Sequence, residues 1–244
     1  YFPNPQTVGT FYGDFIYDHK RVTETVGSLN RNWQDDRSRW SYYLNHETQS
    51  ASGFTLRSDI SRVSDRWYFR DFSSFNYYLD HYGWTGEDRF ERVSFQADES
   101  LASLDSTVRL VKEWSLYNVT SLLRYTDDFS SPTNDATLQK YPEVILTGFR
   151  QPLFGSPAQI EFTAGYDYFF RQEGQKGHLW EIAPALYLPL NLAQYGRITP
   201  RAGIRESIWE ASDSLPRGGS RQGNREVIHL GTVASSEIYR IYDV

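Results

Sequence analysis

Side chains change character at every second position along most of this chain. From Ala158 to Arg171 one row reads Ala158, Ile160, Phe162, Ala164, Tyr166, Tyr168 and Phe170. The row between reads Gln159, Glu161, Thr163, Gly165, Asp167, Phe169 and Arg171. Successive strand side chains point to opposite faces, so this segment predicts a strand that is apolar on one side and mostly polar on the other. The period recurs over Arg37–Glu47, Phe54–Arg62, Arg92–Asp98 and Arg197–Trp209, and less cleanly over Arg225–Ala234. Ser100–Tyr117 has the best helical composition. Even there Val108, Leu110, Trp114 and Leu116 oppose Thr107, Arg109, Glu113 and Ser115, which predicts a strand. No segment predicts a helix.

Turn-forming residues punctuate these runs at Asn30–Asp36, Gln49–Gly53, Gly83–Asp88, Asp127–Asp135, Phe154–Pro157, Glu173–Gly177, Asn191–Gly196 and Ser212–Asn224. The count is about 12 to 14 strands, roughly one per 17 to 20 residues, where soluble sandwiches space theirs at about 8 to 12. The wider spacing fits tilted strands of about 9 to 11 residues that cross a bilayer. Connections also alternate between long and short in the C-terminal half, as they do in outer-membrane barrels. The long ones, Asp127–Asp135 and Ser212–Asn224, are expected to be extracellular. The fold class expected is all-β, an antiparallel up-and-down transmembrane β-barrel, here a partial one without helices. Four of the ten prolines (Pro142, Pro184, Pro189 and Pro200) fall within or at the ends of strand-like runs, where a missing donor predicts bends or strand starts.

Composition agrees once the barrel is in view. Mean hydropathy is −0.61, but a barrel with polar residues inside and apolar residues outside does not register in that average. Aromatic residues make up 16% of the chain. They gather near strand ends, at Trp67–Phe69, at Tyr77, Tyr78, Tyr82 and Trp84, at Tyr166–Phe170, at Trp180, and at Tyr239 and Tyr242. Amphipathic rings prefer the headgroup level, so these clusters are expected to form interfacial girdles. The absence of cysteine among the 244 residues excludes a disulfide framework, thiolate metal sites and a cysteine nucleophile. A net charge of −6 without a basic block does not point to nucleic acid. A chain that opens Tyr1-Phe2-Pro3 is expected to continue upstream.

Catalytic chemistry is not evident. His19, His46, His81, His178 and His229 are scattered, with no pair at metal-ligand spacing. There is no phosphate-binding glycine loop and no nucleophile elbow. No cofactor, metal or enzymatic activity is expected. The constellation that remains is arginine on the polar rows: Arg39, Arg57, Arg109, Arg171, Arg197, Arg201 and Arg205. Guanidinium forks hold phosphates and carboxylates at two points, so lumen-facing arginines could handle an anionic amphiphile. They could equally pair with Glu47, Asp59, Glu113, Glu161 and Asp167 as ordinary barrel filling.

An ordered series of strings carries a family resemblance. Arg39-Trp40 and His46 are followed by Val63-Ser64-Asp65-Arg66-Trp67-Tyr68-Phe69-Arg70-Asp71-Phe72, then by Leu138–Val144, Tyr168–Gly174 and Ala183–Leu190. Ile198-Thr199-Pro200-Arg201-Ala202-Gly203-Ile204-Arg205-Glu206-Ser207 and Ser235–Arg240 complete it. In this order they resemble the barrel domain of the LptD (OstA, LPS-assembly protein) family over most of the chain. The resemblance implies a component of the Gram-negative cell outer membrane that inserts lipopolysaccharide into the outer leaflet. It also implies an LptE-like lipoprotein plug, periplasmic LPS bridge proteins reached through an N-terminal jelly-roll domain, and surrounding outer-membrane lipids. This chain is then expected to be an interior stretch of one barrel domain, 1–244, with the periplasmic domain and the C-terminal strands lying outside it. The competing expectation is a general porin or solute channel, which would share the alternation but not the ordered strings.

Overall fold

The structure, a computed structural model, describes residues 6–72, 101–193, 195–212 and 220–236. Their strands are β1 (Thr7–Asp18), β2 (Val22–Val26), β3 (Leu29–Trp33), β4 (Arg37–Gln49), β5 (Phe54–Val63), β6 (Ser103–Glu113), β7 (Tyr117–Asp128), β8 (Gln139–Pro152), β9 (Gln159–Phe170), β10 (Gly177–Tyr187), β11 (Leu190–Asn191), β12 (Arg197–Ala211) and β13 (Gln222–Ser235). They pair in the order β1-β4-β5-β6-β7-β8-β9-β10-β12, with β13 and the short β11 both on β12. The registers of β1, β4, β5, β9, β10, β12 and β13 are antiparallel. This is the up-and-down meander the alternation predicts. The strand expected over Arg92–Asp98 and the turn at Gly83–Asp88 lie outside the described residues.

Among the described residues the connections differ in length: 50–53, 114–116 and 153–158 are short turns, and 19–36 and 129–138 are longer. Residues 171–176, between β9 and β10, make a connection no longer than 153–158, so the long–short alternation expected in the C-terminal half is not kept there. The first long one holds a separate hairpin, β2–β3. The turn expected at Asn30–Asp36 is corrected there, because Leu29–Trp33 is a strand and the chain reverses at Gly27-Ser28, with Gly27 at φ 59°. A positive φ costs glycine nothing. The asparagines that read as turn formers instead accept cross-strand bonds, Thr25 Oγ1 to Asn30 Oδ1 at 2.9 Å and Thr23 Oγ1 to Asn32 Oδ1 at 3.4 Å.

Two of the four prolines act as a missing donor predicts, whereas Pro142 and Pro200 lie inside the continuous strands β8 and β12 and mark neither a bend nor a start. Pro184 pairs with Phe162 on β9, but the β10–β12 ladder is interrupted at Ala183 and Pro184. The strand breaks at Leu188-Pro189 before β11 resumes on β12.

The strand-only expectation needs one amendment, a five-residue helix, α1 (Tyr68–Phe72). Asp65 starts it. Its Oδ1 accepts from the Trp67 N–H at 3.0 Å and its backbone carbonyl from the Tyr68 N–H at 3.2 Å. A carboxylate at that position satisfies donors that a helix start leaves free. One turn is too short to show a helical period against the surrounding alternation.

The described residues within 1–110, 122–141 and 170–174 form one compact unit, and those within 111–121, 142–169 and 175–244 a second. The core of the first unit lies beneath α1. Tyr68 and Phe69 pack with Tyr12, Tyr43 and Val63, flanked by Phe72 and Phe129. Trp67, Tyr68 and Phe69 are 8%, 4% and 5% exposed. They therefore do not form the interfacial girdle expected of them. The helix turns these rings onto the sheet, where each buried ring is worth about 1.5–3 kcal/mol.

Candidate functional site

Strand register sorts side chains into faces. In the first unit, Phe15 faces Trp40, Phe11 faces Leu44, and Leu44 faces Ile60. The opposite face carries Tyr12, Asp14 and Asp18 of β1, Arg39, Ser41, Tyr43 and Glu47 of β4, and Arg57, Asp59 and Ser61 of β5. Exposure runs against the soluble-protein pattern. Phe11 and Phe15 are 68% and 69% exposed, whereas Arg39 and Ser41 are 1% and 2% exposed. Greasy rows that met in a dry centre would show the reverse.

The second unit repeats the sorting less cleanly, because Glu206 of β12 and Glu226 of β13 face each other on the otherwise apolar row. One face joins Ile160, Phe162 and Tyr166 of β9, Trp180, Ile182 and Leu186 of β10, Ala202 and Ile208 of β12, and Leu230 and Ile228 of β13. The other joins Glu161, Thr163 and Asp167, then Glu181, then Arg197, Arg201, Arg205 and Ser207, then Arg225 and His229. Ile228 and Leu230 are more than 70% exposed. On the apolar face His178 stacks on Tyr168 at 4.7 Å and on Trp180 at 5.5 Å. That cluster has the amphipathic composition of an interfacial girdle.

The densest chemistry surrounds Arg39. Its Nε and Nη2 donate to the two oxygens of Asp65, both at 3.0 Å, a two-point fork. Nη1 donates to Asp71 at 2.5 Å and to Asp18 at 3.2 Å. Arg31, from the β2–β3 hairpin, also holds Asp71, with Nη1 to Oδ1 at 3.0 Å and a second bond from Nη2 to Oδ2. Its Nη1 reaches Glu24 at 3.1 Å. Trp33 lies 3.9 Å from the Arg31 guanidinium and 4.7 Å from that of Arg39, and Phe72 covers Arg39 at 4.6 Å. One buried cation thus ties β1, β4, the segment after β5 and α1, and Asp71 carries the tie on to the hairpin.

Burial pushes the Asp71 carboxyl up, but its bonds to Arg31 and Arg39 outweigh that and leave it below the ordinary carboxylate range. A depressed acid contributes stability that is present above its unfolded pKa and lost as pH falls through the folded one. Amide protection of residues 64–72, corrected for intrinsic exchange, will therefore hold from pH ~7 to about 4 and fail only in stronger acid. Loss of protection near neutral pH would contradict this.

The other arginines divide. Arg57 pairs with Glu47 at 3.5 Å, one of the ordinary barrel pairings the sequence left open. Arg109 is exposed on β6. Arg171 follows β9, and a Cβ on Gly174 would meet its Nε at 2.7 Å. Arg197 donates to Asn191 at 3.0 Å. Arg201 and Arg205 are exposed on the face shared with Arg197, and the Arg201 stem lies over Gly231. Glu161 takes Arg150 at 3.3 Å and the Tyr187 hydroxyl. Of the seven, Arg39 alone is fully buried among the described residues.

Arg31, Asp65 and Asp71 were not recognised as a site in the sequence. The spacing Asp65-x-x-Tyr68-x-x-Asp71-Phe72 carried the signal, because steps of three share one side of a helical turn. The partner arginines are 26 and 32 residues from Asp65 and Asp71, with Asp71 and Arg31 40 apart, and no local pattern links them. Among the described residues no group of His, Asp and Glu is arranged to hold a metal ion.

Comparison with known proteins converges on one family. A family model described as LptD, LPS transport system D, matches residues 37–243. The LPS-assembly protein LptD of Nitrosospira multiformis is 25% identical over 175 residues, which covers 70% of this chain and 17% of the relative. The chain thus spans under a fifth of that relative's length.

Proposed function

Because the chain belongs to the LptD family, LPS transport system D, we propose that it is a stretch of an outer-membrane β-barrel that inserts lipopolysaccharide into the outer leaflet. The observation that carries this reading is the inverted exposure of the sheet faces. On the apolar face Phe11 and Phe15 of β1, Ile182 and Leu186 of β10, and Ile228 and Leu230 of β13 are large exposed hydrophobics, while on the opposite face Arg39 is sealed among carboxylates and Arg201 and Arg205 stay open. Hydrocarbon is the solvent that rewards such a surface.

The second support is charge. The polar face of β12 and β13 carries Arg197, Arg201, Arg205 and Arg225 with Glu181 as its acid on β10. Phosphorylated sugar needs a polar, cationic track while its acyl chains need hydrocarbon, and one sheet with two such faces offers both. The lumen-facing role of the seven arginines belongs to this proposal. So do the extracellular placement of residues 127–135 and 212–224, the lipoprotein plug and the periplasmic bridge proteins.

The test uses cells that depend on the full-length protein. With Arg197, Arg201 and Arg205 changed together to glutamate, and folded protein at wild-type level, newly made lipopolysaccharide will reach the cell surface roughly tenfold more slowly. Unchanged arrival, or small-ion conductance as the only altered property, would favour a solute channel instead.

A further inference from the structure

Arg62 is the one arginine of β5 that lies on the apolar face. It is directly opposite Tyr42 and two positions beyond Ile60. It stands between two cavities of the first unit. On one side is an apolar groove of about 310 Å³, walled by Tyr42, Ile60, Val108, Leu123 and Tyr125. On the other is a polar cavity of about 360 Å³, where Trp33, Arg37, Asp127 and Asn134 contribute to the wall. Arg62 lines both, and its guanidinium rests 4.4 Å above the Tyr125 ring.

The electrostatics at this junction are incomplete. Nε of Arg62 lies 3.2 Å from Asp127 Oδ2, close enough for charge attraction. It is nevertheless a buried donor with no hydrogen-bond partner among the described residues, because the carboxylate is not aligned with it. A buried N–H without an acceptor costs free energy until an oxygen arrives. The arrangement therefore runs from an apolar slot, through a cation with a spare donor, to a polar chamber with an indole wall.

We propose that this junction is a binding site for a phosphorylated glycolipid, with an acyl chain in the groove, the phosphate on Arg62 and the sugar in the polar cavity. The assignment rests on the reading of the apolar face as hydrocarbon-facing. Each segment of the ligand meets its own chemistry: apolar walls exclude water from the chain, the guanidinium fork takes phosphate oxygens, and mixed donors and acceptors beside Trp33 take hydroxyls. Asp127 competes with the phosphate for Arg62. Removing its charge should tighten binding, whereas a merely structural pair would be weakened from either side.

The experiment uses the full-length protein in nanodiscs, with folding confirmed by heat-modifiable migration, and measures retention of diphosphorylated lipid A. Arg62→Gln should weaken retention roughly tenfold and Asp127→Asn should strengthen it. Phosphatidylglycerol, which lacks the sugar, should bind more weakly, and inorganic phosphate should not displace the lipid. Equal retention by wild type and Arg62→Gln overturns the site. So does weaker retention by Asp127→Asn, or equal affinity for phosphatidylglycerol. If the protein does not enter nanodiscs at all, the hydrocarbon-facing reading itself has failed, and the site falls with it.

Discussion

Replacing Arg39 by alanine will cost about 3–5 kcal/mol, because it strands buried carboxylates rather than simply deleting one contact. Asp18 and Asp71 have side chains 13% exposed and Asp65 20% exposed, and all three face the same guanidinium. Without it Asp71 keeps only Arg31, while Asp65 loses a two-point acceptor role. The damage will be local first. Segment 64–72 is held down by this cluster and by the rings of Tyr68 and Phe69, so trypsin will cut after Arg66 or Arg70 in the variant and not in the wild type. Lysine at position 39 will not restore protection, since an ammonium cannot reproduce the fork that spans both oxygens of Asp65. Wild-type resistance to trypsin in Arg39→Ala would disprove the account.

A charge placed on the apolar face of the second unit will be nearly as costly. Ile204, 41% exposed, faces Ile228 across β12 and β13, in a row with Ala202, Ile208 and the facing acids Glu206 and Glu226. Ile204→Arg in the full-length protein will lower folding stability in phospholipid vesicles by about 2–4 kcal/mol if the position lies near the bilayer midplane. Thr163→Lys, on the face shared with Glu161 and Asp167, will shift stability by no more than about 0.5 kcal/mol. Urea titration of vesicle-bound protein reads both. Equal effects on the two faces would mean that hydrocarbon does not meet the row containing Ile204. A soluble fold would also tolerate an exposed arginine at 204.

The two predictions differ in how far the sequence could have anticipated them. The alternation Ile198, Ala202, Ile204, Ile208 against Arg197, Arg201, Arg205 is written in order along the chain. A strand's period of two converts it directly into faces. The prolines were half readable: Pro184 and Pro189 stand at an interrupted ladder and a strand break, as a missing donor predicts, whereas Pro142 and Pro200 lie inside continuous strands, because only the fold decides which positions need the donor. The turn at Asn30–Asp36 was misread because asparagine's polarity marks turns only on average, and here Gly27 had already supplied the reversal.

The Arg39 cluster was half legible. The polar row of β4 identified Arg39 itself, but the acids expected to pair with the arginine row were strand residues such as Glu47 of β4 and Asp59 of β5. The partners it has are Asp18, Asp65 and Asp71, two of which follow β5 and depend on a helical turn shorter than any periodicity can reveal. Trp67, Tyr68 and Phe69 show the same limit. An aromatic cluster near a strand end is equally consistent with a membrane interface and with a small core, and composition does not separate them.

Strand content, the antiparallel meander, the two-faced rows and the family were thus present in the residue order, since each depends on neighbours one or two positions apart or on strings compared whole. Which face is left open, which carboxylates reach Arg39 and where Arg62 stands between two cavities depended on the folded chain. Those are relations between residues tens of positions apart, and register across strands, together with one short helix, is what brings them into range.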